Sequence, residues 1–302
     1  MAPATPLERA PESIGSERPV FLKREDLHEL GAFKWRGALP ALEAYRNAGA
    51  TGVVTASTGN HGAATAWAAR RLGLEATVFV PKGAARAKLA LIASQGAAIV
   101  ESGSDFDRAK DAARAFARER GLRFFEDGDE PLQETGYGAI ASELLEQCPV
   151  EPAAVVVPVG NGALAAGIGA VLRRERAGVT VVGAVAKDAP VMEWSYRAGR
   201  AVPCDRAETV ADGLAVRVAI PRAVEALRRS VHRLELVSER ELARALGRLA
   251  AAGIRVEAAA AAGIALLPRL PEPGPVVLVV TGRNIDDDLW KRAVERPESF
   301  PT

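Results

Sequence analysis

Gly52-Val53-Val54-Thr55, the turn Ala56-Ser57-Thr58-Gly59-Asn60-His61-Gly62, the run Ala63 to Leu72 with Gly73 behind it, and Ala76-Thr77-Val78-Phe79-Val80 together decide the fold class. The outer runs are short, apolar and β-branched, which suits buried strands, whereas the alanine-rich middle has helix propensity and stops at a glycine. A helix between two strands is a parallel crossover, because antiparallel neighbours need only a tight turn. Working outward, a helix over 84–95, a strand over 98–100, a helix over 105–120 and a strand over 123–125 extend this unit. Beyond Asp127 to Pro131 the pattern restarts with a helix over 138–146, a strand over 154–159, a glycine loop, a helix over 164–174 and a strand over 179–185. Helices over 239–252 and 257–267, a strand over 276–280 and a closing segment over 286–296 complete it, with a loose, proline-bearing tail from Arg296 to Thr302. The expected class is α/β, two-lobed, each lobe a mostly parallel twisted sheet flanked by helices.

The 302 residues are 48% apolar and 25% charged, at a length where one core either becomes very large or splits in two. With 39 basic against 38 acidic residues, no overall field draws the chain to nucleic acid or to an anionic membrane surface. No run of 18 apolar residues occurs, and Met1 to Arg9 carries proline and glutamate where a signal peptide has a basic end and an apolar stretch, so a cytoplasmic protein is expected. Cys148 and Cys204 are too few for a disulfide framework, and His28, His61 and His232 lie too far apart for metal-ligand spacing, so no metal site is expected.

Of the 39 basic residues only seven are lysines, and Lys34 lies between aromatic neighbours in Phe33-Lys34-Trp35-Arg36-Gly37. Desolvation between two rings favours a neutral, nucleophilic amine able to form a Schiff base, although a lone lysine at a helix start is more commonly a snorkelling side chain. Ser57 to Gly62 follows a strand and opens a helix, so backbone N–H groups and two hydroxyls face an anion such as a carboxylate; an ordinary helix cap needs neither Asn60-His61 nor two flanking glycines. Gly160-Asn161-Gly162-Ala163-Leu164 repeats that geometry and suits a phosphate, while glycine turns of this kind also arise for steric reasons alone. Thr281, just past a strand, sits where α/β sheets bind ligands. An activatable lysine, two anion loops and a hydroxyl together ask for an aldehyde, a phosphate and a ring heteroatom, which pyridoxal 5'-phosphate combines.

With these residues, and with Thr5-Pro6-Leu7, Leu22 to Leu27 and Ala211 to Val216, nearly the whole chain resembles the fold-type II pyridoxal-phosphate enzymes, in particular their serine/threonine dehydratase and serine racemase branch. The resemblance implies that Lys34 holds the cofactor as a Schiff base and acts as the base at Cα, and that Phe33 packs on the ring. It implies that Asn60 meets the phenolic oxygen, that Ser57, Thr58, Asn60, His61 and Gly213 hold the substrate, and that Gly160, Asn161, Gly162, Ala163 and Leu164 wrap the phosphate. Thr281, on the same resemblance, meets the ring nitrogen. It further implies a large cofactor-binding domain, 1–45 with 135–302, a small mobile domain, 46–134, that closes over the substrate, and a homodimer.

Some positions depart from the family pattern. Ala32 replaces a common serine, Thr58 stands where serine racemases use a second acid/base serine, and the phosphate loop and Ser57 to Asn60 are similar to threonine synthases. The stretch that commonly supplies a cation-binding glutamate reads Gly183-Ala184-Val185-Ala186. The expected activity is a dehydratase, or ammonia-lyase, that releases water from a small amino acid such as threonine or serine. The alternatives are a β- or γ-replacement enzyme, an amino-acid racemase, or a binding protein that keeps the pocket without efficient catalysis, a reading motivated by Ala32 and Val185. Glu126, Asp127, Tyr137 and Arg217 are candidates for reading the substrate side chain.

Overall fold

Val276–Val280 contains no polar residue, and a strand of that kind is stable only where both faces of its sheet are covered. The computed structural model, which describes residues 4–84, 86–205 and 207–302, places this strand inside a six-stranded sheet. Residues 1–3 of the leader reading and Ala85 of the helix expected over 84–95 lie outside the described residues, as do the side chains of Ala87 and Lys88.

In chain order the elements are β1 (Leu7–Arg9), β2 (Val20–Arg24), α1 (Trp35–Asn47), β3 (Gly52–Ala56), α2 (Asn60–Leu72), β4 (Glu75–Val80), α3 (Arg86–Ser94), β5 (Ala98–Glu101), α4 (Phe106–Arg120) and β6 (Arg123–Phe124). They continue with α5 (Pro131–Gln147), β7 (Ala154–Pro158), α6 (Ala163–Glu175), β8 (Thr180–Ala186), α7 (Val191–Ala198), α8 (Pro221–Ser230), β9 (Arg233–Val237), α9 (Glu239–Ala251), α10 (Ala262–Leu266), β10 (Val276–Val280) and α11 (Asp287–Glu295). The chain divides into two compact units, one running to Ala32 and resuming at Tyr137, the other Phe33–Gly136.

The larger unit holds the sheet β1-β2-β10-β7-β8-β9, parallel throughout except for β1. Val156, Val182, Leu278 and Val280 pack into one core with Leu242, Leu246 and Ile264. Lys23 is wholly buried on β2, where its Nζ donates to the Thr5 carbonyl (2.6 Å), to Glu143 Oε2 (2.7 Å) and to Gln147 Oε1 (3.0 Å).

The smaller unit holds the four-stranded parallel sheet β5-β4-β3-β6. Side chains alternate along β4 as a pleated strand requires. Val78 and Val80 meet Ala63 of α2 and Ile92 of α3, while Phe79 joins Val54 against Ala113 and Ala117 of α4. Asp105 caps α4 by accepting from the Arg108 N–H, and Gly121, at φ +65°, ends it in a conformation that favours glycine. The small lobe expected at 46–134 is narrower than this unit. Helix α1 lies against α2, with Trp35 edge-on to Trp67 at 5.9 Å, and α5 approaches α1 so closely that a Cβ on Gly136 falls 1.9 Å from the Arg36 carbonyl oxygen.

Three expectations are corrected. The helix expected over 138–146 begins at Pro131, because a proline at the first helical position loses no hydrogen bond and is preset for the helix. The helix expected over 257–267 is a 3-10 turn (Ala258–Ala261), the short α10 and a second 3-10 turn (Leu267–Arg269) with Pro268 in its first turn. The tail is docked rather than loose. Phe300 is 1% exposed with the Arg292 guanidinium 4.2 Å from its ring centroid, and Arg240 donates to the carbonyls of Phe300 (2.9 Å) and Pro301 (2.8 Å). Burying that ring contributes about 1.5–3 kcal/mol.

Candidate functional site

In the smaller unit, Lys34 stands at the N-cap of α1, and both Asp127 carboxylate oxygens receive its Nζ, at 2.8 and 2.6 Å. The Lys34 side chain is 15% exposed and that of Asp127 30%. The amine is not desolvated between two rings as the sequence suggests. Its Nζ lies 5.2 Å from the Phe33 ring centroid, whereas Trp35 turns away to stack on the Arg36 guanidinium at 4.6 Å. A carboxylate thus defines the surroundings of this lysine. Gln133 Nε2 also donates to Asp127, at 3.2 Å.

The Ser57 to Gly62 turn joins β3 to α2. Ser57 Oγ accepts from the Gly59 N–H at 3.2 Å, and Gly59, the N-cap of α2, makes no side-chain capping bond. N–H groups in the first turn of a helix lack acceptors within it, and those of His61 and Gly62 at the start of α2 are of this kind, an arrangement suited to an anion. Thr58 and Asn60 flank them. The His61 ring is committed inward, 4.7 Å from the Phe125 ring centroid. Its Nε2 lies 3.1 Å from Thr55 Oγ1 and 3.3 Å from the Phe125 carbonyl oxygen. Thr55 gives its single proton to that same carbonyl (2.8 Å), so Nε2 is the donor in both contacts and Nδ1 faces Asp127 at 3.5 Å. Burial lowers the His61 pKa from 6.5, against the opposing pull of Asp127, so the ring is neutral at neutral pH. What residue 61 offers an anion is its backbone N–H.

In the larger unit, β7 runs into Gly160-Asn161-Gly162 and α6 begins at Ala163. Gly162 has φ +97°, and Asn161 Oδ1 accepts from the Ala163 N–H at 3.1 Å, fixing the turn. A Cβ on Gly160 falls 2.3 Å from the Gly213 carbonyl oxygen, so glycine is what lets this loop and the Asp212–Leu214 turn approach. Gly213 in turn faces Glu257, and the buried Thr281 Oγ1 donates to Glu257 Oε1 at 3.0 Å. The phosphate-type loop, Gly213 and Thr281 are thereby brought together at the C-terminal ends of parallel strands. Ala32 pairs with Gly282 beside Thr281.

Sequence reasoning missed Glu257 and the pairing of Asp127 with Lys34. The first had a signal: Glu257 is the one charged residue between Arg255 and Arg269, in a run that is otherwise apolar. The second had none, since 93 positions separate the partners. Of the other side-chain candidates, Glu126 is engaged by Lys110 and Arg114 of α4. Burial works to raise its pKa, and these two cations outweigh burial and hold it below the ordinary carboxylate value. Tyr137 is wholly buried in α5, and Arg217 is exposed on a loop. Val185, at the departure from the cation-binding pattern, is 1% exposed in β8, and among the described residues no cluster of three or more His, Cys, Asp or Glu side chains is placed to hold a metal.

Each unit taken by itself carries groups that suit part of the cofactor the sequence calls for. A lysine amine stands beside a ring, a helix N-terminus follows a loop that any Cβ at Gly160 would obstruct, and a buried hydroxyl ends a central strand. A family model described as pyridoxal-phosphate dependent enzyme matches residues 2–282. An L-threonine ammonia-lyase of Geobacter sulfurreducens is 36% identical over 283 residues, which is 92% of this chain and 70% of that protein. A second L-threonine ammonia-lyase, from Thermotoga maritima, is 34% identical over 292 residues, 94% of this chain and 71% of that protein. Among solved structures, the processed form of threonine deaminase isoform 2 from Solanum lycopersicum superposes with a TM-score of 0.90 at 26% identity, covering 97% of this chain and 87% of the other.

Proposed function

Because the chain belongs to the pyridoxal-phosphate dependent enzymes, we propose that it is an ammonia-lyase that eliminates water from a β-hydroxy amino acid such as L-threonine or L-serine, the released enamine then tautomerising to an imine that one water hydrolyses to a 2-oxo acid and ammonia. The observation that carries this reading is the Lys34 amine held by Asp127 beside Phe33. When bound, pyridoxal phosphate supplies an aldehyde for an amine and a ring that withdraws electrons from Cα.

Lys34 would be the amine that holds the cofactor and, when free, the base that takes the Cα proton. The same Nζ then gives that proton to the departing β-hydroxyl, which leaves as water, so one side chain accounts for proton removal and delivery. The N–H groups at the start of α2, with Ser57 and Thr58, bind the substrate carboxylate. Phe33 would pack against the cofactor ring and Asn60 would meet its phenolic oxygen. In the larger unit Gly160 to Leu164 would hold the phosphate, with Gly213 beside them, and Thr281 would meet the ring nitrogen.

The test is purified protein assayed for 2-oxo acid release from L-threonine and L-serine, with O-acetylserine and O-phosphohomoserine as replacement substrates. Turnover of the hydroxy amino acids, lost by about 10²–10⁴-fold in Lys34→Ala, is expected. Turnover of the replacement substrates alone, or a borohydride-trapped cofactor mapped to another residue, overturns the reading. A cytoplasmic homodimer belongs to the same proposal. Among the described residues no helix is long and apolar enough to cross a membrane, and light scattering reads the oligomeric state.

A further inference from the structure

We propose that Asp127 selects the charge of the substrate's side chain, so that the site accepts β-substituents that donate hydrogen bonds or carry positive charge and rejects those bearing a carboxylate or phosphate. The inference deepens the elimination reading and rests on it.

The geometry follows from the lysine. Both Asp127 oxygens lie within 2.8 Å of Lys34 Nζ, the atom that must come to about 3–3.5 Å from the substrate's Cα to take its proton. The β-substituent is attached to the carbon next to Cα, so a carboxylate in contact with Nζ is among the groups it meets. The His61 ring is buried and neutral, and Gln133 donates to Asp127 without carrying charge. The neighbouring Glu126 is itself an anion and engages the cations Lys110 and Arg114. Lys34 itself supplies positive charge at this point, but as cofactor carrier and base it changes its bonds and protons during the reaction, whereas Asp127 keeps its place. In a site partly shielded from water, an anionic substituent beside that carboxylate is repelled and a cationic one attracted.

The experiment uses the cofactor-loaded enzyme and three amino acids of similar size with no β-leaving group: L-2,4-diaminobutyrate, L-asparagine and L-aspartate. Each is titrated while the visible absorbance of the cofactor is followed, giving a Kd without turnover. Wild type is expected to bind in that order, with diaminobutyrate at least about tenfold tighter than aspartate. Asp127→Asn, which keeps the shape and removes the charge, is expected to compress that ratio at least about tenfold. A ratio near one in wild type overturns the proposal, and so does an Asp127→Asn variant that weakens all three ligands equally, because that is what a residue serving only to position Lys34 would do. If the variant does not fold, the wild-type series decides. Release of 2-oxo acid from threonine or serine is measured alongside. Its presence with a flat ligand series sinks this inference alone, and its absence sinks the proposed reaction.

Discussion

Two glycines of α6 and the loop before it face the same steric limit in different places, and replacing each separates a binding loop from ordinary packing. A Cβ on Gly160 lies 2.3 Å from the Gly213 carbonyl oxygen, and one on Gly169 lies 2.4 Å from that of Ser230 in α8. A carbon normally approaches a carbonyl oxygen to about 3.3–3.6 Å, so each alanine demands a shift of about 1 Å against backbone that no rotamer change relieves. Both Gly160→Ala and Gly169→Ala are therefore expected to lose about 1–3 kcal/mol in denaturant unfolding. Only at Gly160 does the shift move the loop proposed to hold the phosphate. Losing one hydrogen bond to a charged group costs about 1.5–3 kcal/mol, so the cofactor Kd should rise about 10- to 150-fold. Gly169→Ala should leave that Kd within about threefold of wild type. Titration of cofactor-free protein with pyridoxal phosphate, followed by absorbance, reads both values. Equal Kd values for the two variants, or an unchanged Kd in Gly160→Ala, would refute the assignment of the loop.

Two further outcomes follow from buried charge. Lys23→Met takes away the cation that Glu143 meets in the larger unit, and breaking a buried pair from one side costs about 3–5 kcal/mol. At about 2–4 °C per kcal/mol for a unit of this size, Tm should fall by about 6–20 °C, with much of the loss recovered in the double variant carrying Glu143→Leu, and a fall of a degree or two would contradict the pairing. His61 has its pKa lowered from 6.5 by burial, so the stability it contributes is present above about pH 6.5 and is lost as pH falls through the folded-state value. Urea midpoints of wild type should therefore drop more steeply between about pH 7 and pH 5 than those of His61→Gln, and parallel profiles would show that His61 is not the group being titrated.

What can be read in the sequence is local. The β3, α2 and β4 segments are legible because strand, turn and helix each leave a pattern within a few residues, and the loops at Ser57 to Gly62 and Gly160 to Leu164 announce themselves by glycines flanking a helix start. The stretch 187–238 yields no assignment although it holds α7, α8 and β9, because its apolar positions are spaced among eight arginines and irregular turns. The tail reads as loose because a single phenylalanine between polar residues carries no period, and only the packing of Arg292 over Phe300 shows what that ring is for. Lys34 stands out in the sequence by its aromatic neighbours, whereas its pairing with Asp127, itself named there only for the substrate side chain, leaves no local signal. Asp127 comes from the loop after β6, and the folding of β3 and β6 into adjacent positions brings it to α1.

The alternative of a pocket that has lost efficient catalysis rests on Ala32 and Val185, and neither supports it once their surroundings are known. Ala32 is 2% exposed and serves as a backbone pairing point for Gly282, while Val185 is 1% exposed and paired in register with Leu236 across β8 and β9. Both answer demands of packing. Lys34 and Asp127 answer a different demand. Holding an ammonium and a carboxylate together, partly removed from water, gains little because desolvation and side-chain ordering offset the attraction, and replacement by apolar groups is often neutral or stabilising. Stability therefore does not account for this pair. The proposed reaction, which needs an amine able to bind an aldehyde, take a proton from carbon and give it to oxygen, would account for it, because the carboxylate can accompany that amine through its changes of charge.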